Sequence, residues 1–132
     1  MPAFSRKSID RLETCDHRIQ MVLKRAITRV DFTVLCGHRG KEEQNDAYER
    51  GASKLQWPQS KHNRTPSLAV DIAPFPIDWD NLERFRALAA IIMDEAAKLN
   101  IKLRWGGDFN MNGKPDDKFV DMPHFELTGR PT

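Results

Sequence analysis

The chain has 132 residues, 39% hydrophobic and 30% charged, which are ordinary values for a soluble protein and enough length for one domain, 1–132, with a core that needs no staples. A net charge of +2 is too small to argue for nucleic acid, and Cys15 and Cys36 form neither a disulfide scaffold nor a metal-like CxxC pair. Met1 to Lys7 is not followed by a long uncharged apolar run, so neither a signal peptide nor stable membrane insertion is expected, and the protein is expected to be held first in a cytoplasm.

Residues 1–30 hold seven Lys/Arg against three Asp/Glu, which suits a solvated helix face and would also favour an anionic surface such as a bacterial envelope. Apolar residues at Ile9, Leu12, Ile19, Val22, Leu23, Ala26, Ile27 and Val30 keep a helical period, with Ser5 or Ser8 available as cap. Cys15-Asp16-His17 interrupts that stripe and would divide it into two short helices. Phe32 to Cys36 alternates and is β-prone, so it reads as a strand ending at Gly37. His38-Arg39 follows, then a helix over Lys41 to Arg50 stopped by Gly51. Arg39 lies at the strand-to-helix junction, where its guanidinium fork suits a carboxylate or a developing oxyanion.

Residues 52–66 are rich in turn formers, and Leu68 to Ala73 reads as a strand halted by Pro74. Asp71 is the odd residue in that apolar run. A buried carboxylate needs a cation or a metal, and His62 lies nine residues before it across the loop. A second long helix is expected from Asp78-Trp79-Asp80 to Asn100, with an aspartate as N-cap, then a strand over Ile101 to Trp105 before Gly106-Gly107. Asp108-Phe109-Asn110-Met111-Asn112-Gly113 has the opening of a calcium loop, but its twelfth position is Phe119; it reads as a plain turn or a Ca²⁺ site. The last strand-like segment runs from Lys118 to Leu127 and carries Asp121 and His124.

His62, Asp71 and His124 together would supply three N/O ligands to Zn²⁺ and leave a fourth position open, as catalytic zinc requires. Asp121, three residues before His124 and spare as a ligand, would then be free to take a proton from water. His17 and His38 could also be ligands in principle, but lone histidines are more often ordinary polar or core residues. The residues point to a zinc hydrolase.

Ser60-x-His62 with Ala69-x-Asp71, Trp105-Gly106-Gly107-Asp108, and Asp121-x-Pro123-His124-Phe125-Glu126 resemble the zinc peptidases that cut peptidoglycan stem peptides. Phe4-Ser5, Ser8 to Leu12, Gly37-x-Arg39 with Gln44, and Gly51 extend the similarity along most of the chain, which looks most like phage endolysins of the L-alanyl-D-glutamate peptidase type. The resemblance implies an α+β fold of the D,D-peptidase/hedgehog kind, with helices packed on a small antiparallel sheet that carries the zinc. It implies His62, Asp71 and His124 as ligands, Asp121 as general base, Arg39 as the group that polarises the scissile carbonyl or binds a substrate carboxylate, and Ser60 and Gln44 as cleft-lining residues. The loop between His62 and Asp71 is longer than is common in such proteins and lacks their glycine. The alternatives are a D-alanyl-D-alanine carboxypeptidase or dipeptidase, and a wall-binding module with structural zinc. The expected partner is bacterial peptidoglycan, the expected state a monomer, and the expected setting a host cytoplasm until the membrane is permeabilised.

Overall fold

The computed structural model describes residues 3–106 and 122–128. In chain order they form α1 (Arg6–Leu12), α2 (His17–Ala26), β1 (Phe32–Cys36), α3 (Lys41–Glu49), a 3-10 turn (Lys61–Asn63), β2 (Ala69–Pro74), α4 (Leu82–Lys98), β3 (Leu103–Trp105) and β4 (His124–Leu127). The strands make one antiparallel sheet in the order β1-β2-β4-β3. This is the α+β architecture expected, with helices on a small antiparallel sheet.

The division of the first helical stripe falls at Cys15-Asp16. Ser5 caps α1 by accepting from the Ser8 amide, and Asp16 caps α2 by accepting from the Arg18 amide, so each short helix has its own start. The cap of α4 differs from the expected aspartate: Asn81 fills that position and accepts from the Arg84 amide, while Asp78 closes the turn before it by accepting from the Asp80 amide. Asn100 ends α4 in the left-handed region at φ 57°, a conformation asparagine tolerates better than most residues. Gly51 does the same after α3 at φ 78°.

Strand alternation sorts the sheet into two faces. Val34, Val70, Ile72, Phe125 and Leu127 enter the main core against Ile19, Val22, Leu23 and Ala26 of α2 and Leu88, Ala89, Ile92 and Ala96 of α4. Asp71, His124 and Glu126 alternate with those residues and occupy the other face. A buried carboxylate, Glu95, joins α4 to α2 through Arg25 at 2.8 Å and to the turn after α2 through Arg29 at 2.7 Å, so this buried charge is compensated.

Candidate metal centre

Asp71 of β2 and His124 of β4 are cross-strand partners in the antiparallel register, which sets their side chains side by side. His62 comes from the 3-10 turn. That turn is shaped by Ser60, whose hydroxyl accepts from the His62 amide at 3.2 Å while its own amide donates to Asn63 Oδ1 at 3.0 Å. The Arg39 amide then donates to the His62 carbonyl at 2.8 Å, tying the turn to the end of β1.

These elements bring three ligand atoms together. His62 Nε2, Asp71 Oδ1 and His124 Nδ1 are separated by 3.3 Å, 3.0 Å and 3.3 Å, a nearly equilateral triangle. For a tetrahedral site with bonds of about 2.05 Å, adjacent ligands stand about 1.63 × 2.05 ≈ 3.3 Å apart, so the spacing of these three donors suits a small divalent metal ion. It is the one His/Cys/Asp/Glu group with such geometry among the described residues, and neither His17 nor His38 joins it.

The ring nitrogens that face away from the triangle are also engaged. His62 Nδ1 donates to the Gly37 carbonyl at 2.7 Å, an acceptor that has no proton to give. His124 Nε2 donates to Glu126 Oε1 at 2.9 Å. Each outer N–H is therefore occupied, and each inner nitrogen is left as the lone-pair donor a metal needs. Gly37 itself can be only glycine: a Cβ there would lie 2.3 Å from Thr14 Oγ1, 2.5 Å from the Arg11 carbonyl oxygen and 2.9 Å from Cys15 Sγ.

Without a metal, the charges settle among the ligands. Burial opposes charge on His62 most strongly, but hydrogen bonds to Asp71 and Cys36 outweigh it and raise its pKa to about 10. Burial likewise opposes charge on His124, and Asp71 and Glu126 raise it to about 9. Asp71 is held well below the carboxylate range because His124 and His62 more than offset its burial. Two imidazolium ions thus flank one carboxylate, the arrangement a divalent cation would replace.

Arg39 reaches the edge of this cluster, its NH2 3.5 Å from Asp71 Oδ2 and its NH1 3.1 Å from Gln44 Oε1. Gln44, expected to line the cleft, is fully buried. Its Nε2 donates to Ser53 Oγ at 2.9 Å and to the Leu55 carbonyl at 2.6 Å, and its Oε1 also accepts from Asn63 Nδ2 at 3.2 Å. Ser60 is buried as the cap of the His62 turn. Both residues thus act on the cleft from behind, one by orienting Arg39 and the other by shaping the His62 turn. Asp121 and the Asp108 to Gly113 loop lie outside the described residues. Glu126 belongs to the motif that carries the resemblance but, like Lys61, is given no role by it, although it stands two residues after His124 in a strand, the spacing that puts both on one face.

A family model described as phage L-alanyl-D-glutamate peptidase matches residues 2–128. An L-alanyl-D-glutamate peptidase of Escherichia phage T5 is 33% identical over 133 residues, covering 94% of this chain and 96% of that protein. The crystal structure of the Serratia marcescens L-Ala D-Glu endopeptidase ChiX superposes with a TM-score of 0.77 at 23% identity, covering 96% of this chain and 91% of that one. At that identity the superposition bears on the fold.

Proposed function

The chain belongs to the phage L-alanyl-D-glutamate peptidase family, and from that premise we propose that it is a zinc-dependent endopeptidase that hydrolyses the L-alanyl-D-glutamate amide of peptidoglycan stem peptides during phage lysis. The observation that carries the metal reading is the triangle of His62 Nε2, Asp71 Oδ1 and His124 Nδ1, whose edges of 3.0–3.3 Å suit tetrahedral zinc and leave one position open. A zinc ion held there supplies Lewis acidity, polarising the amide carbonyl and acidifying water.

The protein's own groups do the rest. Arg39, oriented by Gln44 and set beside Asp71, is the donor for the developing negative charge on the carbonyl oxygen, a kind of stabilisation worth on the order of 3–4 kcal/mol. Asp121 takes the proton of the attacking water and returns it to the leaving amine. Its support is chain proximity: Met122 and Pro123, which link it to His124, are pinned by Trp105 Nε1 donating to the Met122 carbonyl at 2.7 Å and the Ile72 amide donating to the Pro123 carbonyl at 2.9 Å. No helix among the described residues is long and apolar enough to cross a membrane. On this reading the protein waits as a monomer in the host cytoplasm and meets the wall once the membrane is opened.

The test is mass spectrometry of purified peptidoglycan digested by the zinc-loaded protein, with Asp121→Ala beside it. Stem peptides lacking L-alanine, released by the wild type alone, support the reading. Loss of terminal D-alanine only would assign a carboxypeptidase instead, and absence of any zinc-dependent product would leave a wall-binding module.

A further inference from the structure

Glu126 is 7% exposed, and a carboxylate that deep must be compensated. Its two oxygens are divided between separate tasks. Oε1 accepts from His124 Nε2 at 2.9 Å. Oε2 meets Arg104 NH2 at 2.8 Å and Lys61 Nζ at 3.2 Å. Arg104 reaches it as its cross-strand partner on β3. Lys61 comes from elsewhere: it is the residue before His62, and its ammonium also donates to the Leu127 carbonyl at the end of β4. The carbonyl of Lys61 in turn accepts from the Leu68 amide at 3.0 Å, just before β2. A single side chain thus joins the turn that bears one histidine to the strand that bears the other.

We propose that Glu126 is a positioning residue for the metal centre: Oε1 fixes His124 in the tautomer that presents Nδ1 to the ion, and Lys61, through Oε2, ties that carboxylate to the turn carrying His62. The inference rests on the zinc reading above and extends it to two residues that are not ligands. A purely structural ion pair would need only the Oε2 contacts with Lys61 and Arg104. The dedicated Oε1 bond to the back of the His124 ring is what such a role leaves unexplained. It is the arrangement in which an outer carboxylate orients a histidine ligand and raises its basicity.

The experiment is competition titration of zinc against a chromophoric chelator for the wild type, Glu126→Gln and Lys61→Met, with imidazole ¹⁵N and ring N–H spectra of each zinc-loaded protein. Glu126→Gln keeps shape and an acceptor oxygen but removes the charge, and is expected to weaken zinc binding about 10–100-fold. Its His124 Nε2–H resonance is expected to move upfield as the hydrogen bond loses its charged acceptor. Lys61→Met is expected to weaken zinc binding less, with the Nε2–H signal retained. Glu126→Gln binding within about twofold of wild type with an unmoved Nε2–H signal would overturn the proposal alone. Failure of the wild type to bind one zinc per chain would overturn the zinc reading with it. Should Glu126→Gln fail to fold, Lys61→Met decides: weakened binding with wild-type circular dichroism supports the clasp, and unchanged binding overturns it.

Discussion

Asp71 Oδ1 lies 3.0 Å from His124 Nδ1 because the two residues are opposed in the β2–β4 ladder, so the register of the sheet and the geometry of the metal centre are one relationship. A one-residue slip of β4 would turn His124 and Glu126 into the apolar core and Phe125 out of it. The apolar alternation therefore protects the site.

The metal-free protein should lose stability as pH rises. His62 and His124 have folded pKa values of about 10 and about 9 against 6.5 for the free side chain. Groups raised on folding stabilise fully below 6.5, and that contribution fades until pH passes 9–10. Asp71, lowered on folding, contributes fully above 3.8 and does not alter this window. Melting of the chelator-treated protein from pH 6 to 10 should show a falling Tm, while the zinc-loaded protein should hold or gain. A flat metal-free profile would contradict the assigned charges. The same values mean that zinc binding at pH 7 releases about two protons, measurable by calorimetry in buffers of different ionisation enthalpy.

Asp121→Ala should leave one zinc bound and lower kcat by about 10²–10⁴-fold, the range for a general acid–base group. His62→Ala and His124→Ala should instead lose the metal. Elemental analysis beside a turnover assay separates the two outcomes, and substantial activity in Asp121→Ala would move the base elsewhere.

Gln44→Leu should reduce activity without touching substrate. Its amide serves Arg39, Asn63, Ser53 and the Leu55 carbonyl, so a leucine removes hydrogen bonds to four half-buried or exposed residues, worth about 0.5–1.5 kcal/mol each. The expected pattern is a lowered Tm together with a kcat loss that approaches that of Arg39→Ala, with zinc content unchanged. A variant that loses stability but keeps wild-type kcat would show that Arg39 needs no such support.

Gly37→Ala should damage the metal centre from behind. The new methyl meets the Arg11 carbonyl, a backbone atom that cannot swing away, at 2.5 Å. Overpacking of this kind costs about 1–3 kcal/mol or more, and it displaces the carbonyl that holds His62 Nδ1. Both Tm and zinc affinity should fall, and a variant altered in only one of them would separate the glycine's packing role from its hold on His62.

The parts of the site legible in the sequence were those with a local anomaly. Asp71 breaks an apolar strand, His124 follows a proline that resists helix, and the structure brings both against His62. β1 falls at Phe32–Cys36 as expected, because alternation ended by glycine is a short-range signal. The roles of Gln44 and Ser60 were less legible, since burial is a property of the assembled fold: a polar residue on a helix between charged neighbours reads as exposed until a loop closes over it. The roles of Lys61 and Glu126 are illegible for a similar reason. Each is ordinary in its own segment, and their meaning arises from a contact across 65 residues of chain. The α4 cap went to Asn81 over the nearby aspartates, a choice among adjacent cap formers that composition does not resolve.

The strand order carries one further consequence. Among the described strands β4 comes last in sequence but lies between β2 and β3 in the sheet, and it is the described strand that pairs with β3, so this pairing waits for residues 124–127. The same four residues bring the third corner of the triangle. Closure of this sheet and acquisition of the third ligand are therefore a single event, and a chain cut before residue 124 is left with neither.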